Sequence, residues 1–159
     1  MLSISWYLIF TIGIPESLLM VLMGFQLYNL EVRFRDALAI ATISAALSYL
    51  VRELPIVFGL HSLIGIAVLV LLCWLFTRYP VYKVLWSVLT GFAVIAIAQT
   101  ILIPMCLWLT NFDYELVKMN PGVDSLFFLV QVIIVGMTYI QFKQQGIFIF
   151  DLSTGAGNE

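Results

Sequence analysis

With 159 residues, 63% of them hydrophobic and only 10% charged, the chain departs from soluble domains, where about 45–50% apolar and about 25% charged residues are usual. One domain of this length cannot hide so much apolar side chain from water, so much of it must face lipid. The net charge of −2 offers no electrostatic footprint for nucleic acid or anionic lipid.

A membrane-crossing helix takes about 20 mostly apolar residues, within a range of about 17–25, and the sequence predicts five. The first covers residues 5–28, interrupted by Ile14-Pro15-Glu16-Ser17 and ended by a polar cluster holding Glu31, Arg33, Arg35 and Asp36. Met1–Trp6 has no basic region and no small-residue cleavage site follows, so this stretch is expected to remain as a helix. The second, 37–51, is short and rich in Ala and Ser, a composition that packs against protein more than lipid. It stops near Arg52-Glu53-Leu54-Pro55. The third, 60–77, is broken by Arg78-Tyr79-Pro80. The fourth, 84–110, is long enough to tilt, or to bend at Pro104. A polar loop, 111–124, leads to the fifth, 125–142. The tail 144–159 ends in Ser153-Thr154-Gly155-Ala156-Gly157-Asn158-Glu159, a disordered composition.

Apolar residues lie all round these segments, as in lipid-exposed helices, rather than along one stripe. There is no internal repeat and no strict alternation of the kind a membrane β-barrel needs. The expected fold is therefore an all-α integral membrane bundle of about five transmembrane helices. Lys and Arg fall unevenly: Arg33, Arg35, Arg78, Lys83 and Lys143 on one side, Arg52 and Lys118 on the other. That bias predicts an outside N-terminus and a cytoplasmic C-terminus. Trp6, Tyr7, Tyr79, Tyr82 and Trp108 suit interfacial belts.

A charge at mid-bilayer costs at least about 2.5–3.5 kcal/mol, so each one asks for a reason. Glu16 is the clearest case. If the first helix starts near residue 5, Glu16 lies roughly 16 Å along it; if it starts afresh at Pro15, Glu16 sits by the positive helix end. Arg52, His61, Gln99 and Gln131 belong to the same half of the membrane, and with Glu16 they form a candidate ligand-binding or signalling pocket. Glu16 would pair most naturally with Arg52. Each also has a plainer role: Arg52 and Glu53 as boundary markers, His61 as an interfacial helix start, Gln99 and Gln131 as interhelical hydrogen-bonders. Pro15 and Pro104 are candidate flex points, since proline frees a backbone carbonyl within a helix.

Motifs for catalysis are missing. One histidine and two cysteines at scattered positions make no metal site, and there is no phosphate-cradling glycine loop or nucleophile elbow. His61 and Cys73 stand about 18 Å apart along one regular helix, too far for a thiol–imidazole pair. Cys73 and Cys106 read as small hydrophobic filler. No enzyme and no cofactor are expected.

The run Ile14-Pro15-Glu16, Gly24, then Tyr49-Leu50-Val51-Arg52-Glu53-Leu54-Pro55-Ile56 through Phe58-Gly59-Leu60-His61 resembles the membrane-embedded sensor region of histidine kinases from Firmicutes-type bacteria. In that family a proline–glutamate opens the first span, and an arginine–leucine–proline turn precedes a glycine–x–histidine start to the third. Gln99 ahead of Pro104 resembles a polar residue before an apolar–proline step, where the family often carries Glu. The resemblance covers about residues 8–143. It implies a stimulus-sensing module with five helices and an inward C-terminus. The kinase region that follows in the family is not in this sequence: either this is a freestanding relative acting through a partner such as a separate kinase, or the kinase portion is not included. The expected function is a non-enzymatic membrane sensor for a peptide or small apolar ligand. Two rivals are a small transporter or transporter membrane subunit with Glu16 as proton or ion carrier, and a structural partner of another membrane protein.

Overall fold

The computed structural model describes residues 9–52, 60–110 and 121–153. It is all-helical, with no strand among the described residues. A short π-helical turn, Ile9–Gly13, runs into α1 (Ile14–Leu27), followed by α2 (Phe34–Arg52), α3 (Leu60–Thr77), α4 (Val81–Thr110) and α5 (Pro121–Gln145). Four stretches are long and apolar enough to cross a membrane: Phe34–Val51, Leu60–Thr77, Val81–Leu109 and Ser125–Gln145. The apolar stretch Thr11–Leu27 is shorter.

Proline chemistry explains two of the helix starts. Pro15 lies in the first turn of α1, where its missing N–H costs nothing to a new helix. To the turn before, however, it denies the carbonyl of Thr11 its usual donor, and a widened π turn is one way a helix absorbs such a gap. Both descriptions of Glu16 therefore hold in part. It occupies the first turn of α1, yet Gly13 ahead of it is itself helical (φ −64°, ψ −41°), so no bare positive helix end faces the carboxylate. Pro121 likewise opens α5, inside the stretch that reads from sequence as polar loop. Pro104, by contrast, is carried within an unbroken α4.

Helices α1, α3 and α5 all terminate at the same end of the bundle, each through a left-handed residue: Asn29 (φ 54°), Arg78 (φ 57°) and Gly146 (φ 64°). At α1 this closes a Schellman turn, with Leu30 N–H on the Phe25 carbonyl (3.0 Å) and Asn29 N–H on that of Gln26 (3.1 Å).

Helix α1 sits in the middle, packed on α2, α4 and α5. Leu19, Val21, Leu22, Met23, Gly24, Phe25 and Leu27 are buried, covering every side of the helix. Helix α2 offers it Ala37, Ile40, Ala41, Ser44 and Ala45, a stripe at three- and four-residue spacing. The tightest contact is the antiparallel crossing of α1 and α4. A Cβ added at Gly24 would collide with the Ser87 carbonyl and sit 3.4 Å from Gly91 Cα; one at Gly91 would collide with the Met20 carbonyl. Helix α4 presents small residues four apart there, Ser87-x-x-x-Gly91, to Gly24 of α1, which lets backbones touch and replaces the hydrophobic drive that lipid removes. Away from the crossing, Trp86, Ile97, Ile101, Trp108 and Leu109 on α4 are exposed, as a lipid-facing surface requires.

Gly24→Ala and Gly91→Ala should each lower stability by about 3 kcal/mol or more, since a backbone rather than a side chain must move. Gly136→Ala, whose Cβ would meet only Leu19 Cδ2 at 4.0 Å, should be neutral or slightly stabilising. Thermal unfolding of the three variants in one detergent checks both.

Candidate functional site

The crossing fixes which polar residues meet. Glu16 lies eight residues before Gly24, and Gln99 eight residues after Gly91. On antiparallel helices both therefore stand about 12 Å from the crossing, at one level. Gln99 Nε2 donates to Glu16 Oε1 at 2.8 Å. Below this pair lies an apolar layer of Leu19, Met23, Ile95 and Val135. Glu16 is one turn above Leu19, Gln99 one turn above Ile95 and Gln131 one turn above Val135. Gln131, only 3% exposed, thus belongs to the same storey of the bundle.

His61 is placed differently. A Cβ added at Gly65, one turn further along α3, would meet Ser48 Oγ on α2 at 3.8 Å, so His61 belongs to the α2–α3 seam. Its Nδ1 is buried without a hydrogen-bond partner. Arg52 closes α2; its side chain, and with it the expected pairing with Glu16, lies outside the described residues. Cys73 is a buried member of the core and Cys106 is half-buried; neither is in a disulfide. No group of three metal-ligating side chains occurs among the described residues.

A second polar constellation, which the sequence reading missed, lies at the opposite end. After α5 the chain turns at Gly146 and residues 147–153 run back over the end of α1 as a strap. Ile149 N–H reaches the Leu27 carbonyl (2.8 Å), Phe150 N–H the same carbonyl (3.3 Å), and Leu152 N–H that of Tyr28 (3.1 Å). The Schellman turn uses the carbonyls of Phe25 and Gln26, and the strap takes the next two. Asn29 Nδ2 donates to Asp151 Oδ1 (3.1 Å). The backbone and hydroxyl of Ser153 also donate to that oxygen. From α4, Lys83 reaches in with its side chain only 1% exposed and donates through Nζ to the Leu152 carbonyl. Tyr28 OH and Thr90 Oγ1 share a hydrogen bond of 3.0 Å between α1 and α4.

Lys83 counts in the sequence as one more interfacial cation; in the structure it is an internal fastening. The one local signal for this site is Asp151-x-Ser153, the spacing of a side chain that bonds its own backbone two residues on. These bonds hold the Asp151 carboxyl below its ordinary value, the Ser153 hydroxyl first, then the Ser153 backbone and Asn29, with Lys83 contributing least.

The described molecule is thus a helical protein of the membrane class, with four helices able to cross a bilayer and polar contacts gathered at both ends. No protein family, curated protein or solved structure matches it.

Two outcomes follow for the strap. Because folding favours the charged form of Asp151, the stability it lends is present above the ordinary carboxylate value of 3.8 and fades as pH falls through the lower folded value. Protection factors at Leu152 and Ser153, corrected for the intrinsic pH dependence of amide exchange, should therefore hold at pH 4 and fall below it, and Asp151→Asn should abolish that acid dependence. Lys83→Met removes a charged donor worth about 1.5–3 kcal/mol. Exchange at Ile149 and Leu152 should then rise by about tenfold or more, with helix content unchanged by circular dichroism.

Proposed function

We propose that this chain is a non-enzymatic membrane sensor module that reads a ligand at the Glu16 end of the bundle and reports it at the strap end through a partner protein. Thr11–Leu27 is the fifth crossing in this reading. It is short, yet it is the central helix, and about 17 residues is the lower limit for spanning. The N-terminus is outside and the strap faces the cytoplasm, so that Arg33, Arg78 and Lys143 lie on the inner side. The ligand is a peptide or small apolar molecule entering from the outer leaflet, and the partner is a kinase or another membrane protein.

One observation carries the proposal: the hydrogen bond from Gln99 to Glu16 between α1 and α4. An ion-capable pair placed among apolar helices is expensive, and a structural hydrogen bond alone is worth only about 0.6–2 kcal/mol. The same two helices carry both ends of the device. Helix α1 gives its last carbonyls to the strap, and α4 gives it Lys83. A ligand that favours one relative setting of α1 and α4 would therefore also favour one state of the strap, which is what a population shift requires. The family resemblance at Pro15-Glu16 and Gln99 points the same way.

Cysteines placed at Arg52 and Lys118 should label with an impermeant maleimide from outside intact cells, and one at Arg78 only after lysis. Glu16→Gln should leave the bundle folded but change strap amide exchange at Ile149 and Leu152 by about threefold or more, the effect of about 0.6 kcal/mol. Unchanged exchange would remove Glu16 from the mechanism. A proton leak across sealed proteoliposomes that Glu16→Gln abolishes would show a carrier instead.

A further inference from the structure

Two grooves open at the strap end of the bundle, and their charges differ. One, of about 460 Å³, is lined by Glu31 and Asp36 together with Arg33 and Arg78, so its charges cancel. The other, of about 600 Å³, runs between α1 and α5 and opens beside the α1–α2 turn; it is lined by Arg33 and Lys143 against the single carboxylate Glu31. It therefore carries a net positive charge that the chain's overall −2 conceals. Of the two grooves Lys143 lines only this one, while Arg33 lies on the rim of both; both side chains are exposed, and neither makes a side-chain hydrogen bond or ion pair among the described residues. The Lys143 ammonium rests 5.9 Å from the centre of the Tyr139 ring, which steers it toward the groove. Gln26, also on the lining, adds an amide donor.

We propose that this groove binds the phosphodiester headgroup of an anionic glycerophospholipid, with Arg33 and Lys143 gripping the phosphate from two sides. A guanidinium from the α1–α2 turn and an ammonium from α5 suit a tetrahedral anion, the first as a bidentate fork and the second as a point charge. Lipid fits better than free phosphate because apolar surface adjoins the cations of the groove. Leu22 and Leu30 line it and are buried. Just outside, Met137 and Ile140 on α5 are 62% and 52% exposed, an apolar surface on which acyl chains would lie. Basic pockets between helices at a membrane face are known places for lipid headgroups. The site is separate from the Glu16 cluster and holds whether or not the sensor proposal does.

The test is lipid retention by the purified full chain in detergent, followed by native mass spectrometry and thermal unfolding, with phosphatidylglycerol, phosphatidylcholine and inorganic phosphate as probes. Wild type should keep one phosphatidylglycerol and gain thermal stability at concentrations about tenfold below those needed for phosphatidylcholine, a difference of about 1.4 kcal/mol. R33Q/K143Q should lose that preference while R35Q, which changes an exposed cation off the groove, keeps it. Equal retention of the two lipids, or an equal loss in R35Q, would show general charge attraction and overturn the site. Full displacement of phosphatidylglycerol by millimolar inorganic phosphate would overturn the lipid assignment.

Discussion

The bundle depends on one contact in which two backbones touch. In lipid, apolar side chains gain nothing by leaving their surroundings for one another, so helices must associate through close packing and hydrogen bonds. Gly24 and Gly91 permit that packing by having no Cβ to interpose, each set against a carbonyl of the other helix. Around the crossing the side chains grow larger. Met23, Leu19 and Ile95 fill one side, while Val21, Phe25, Val84 and Val88 fill the other. Because α1 and α4 run antiparallel from this fixed point, residues equally distant from it along the two helices come level with each other. That register brings the Glu16 carboxylate within reach of an amide donor, and it leaves Lys83 at the far end, beneath the strap.

Polar groups are distributed by what can satisfy them. Helix interiors carry hydroxyls that bond their own backbone, as Thr42, Thr100 and Thr138 do to carbonyls four residues back, a habit that keeps such side chains cheap in oil. The more demanding groups collect at the two ends. At one, a carboxylate is met by an amide across a helix seam. At the other, a buried ammonium, an amide and a carboxylate are arranged around the last carbonyls of α1, which would otherwise lack donors. Ser87 Oγ is the exception on the α4 face, buried without a partner; its value lies in its small size beside Gly24 rather than in its hydroxyl.

Composition alone makes the all-helical membrane character legible, and the apolar runs mark most helices to within a few residues. Glu16, Gln99 and Gln131 stand out in sequence because each is polar inside an apolar run, and the structure sets them on one storey. Their partners are another matter. Sequence electrostatics favours Arg52 for Glu16, a pairing outside the described residues; the Gln99 donor that the structure shows follows from the register of the α1–α4 crossing. That register depends on Gly24 and Gly91, 67 positions apart, and nothing local says they touch. The strap is hidden for the same reason. Its bonds to α1 are mostly backbone bonds between segments about 120 residues apart, and Lys83 looks like any cation beside a membrane face until something is folded over it. Only the Asp151-x-Ser153 spacing leaves a local trace.

The strap also imposes an order on assembly. The Leu27 and Tyr28 carbonyls receive donors from Ile149, Phe150 and Leu152, so the first helix is finished by residues synthesised after the fifth. During insertion α1 must wait with those two oxygens dependent on water or headgroups, and loop closure over that distance is entropically slow. These contacts of the bundle can thus form only late, when the segment after α5 laces the earliest described helix to the latest.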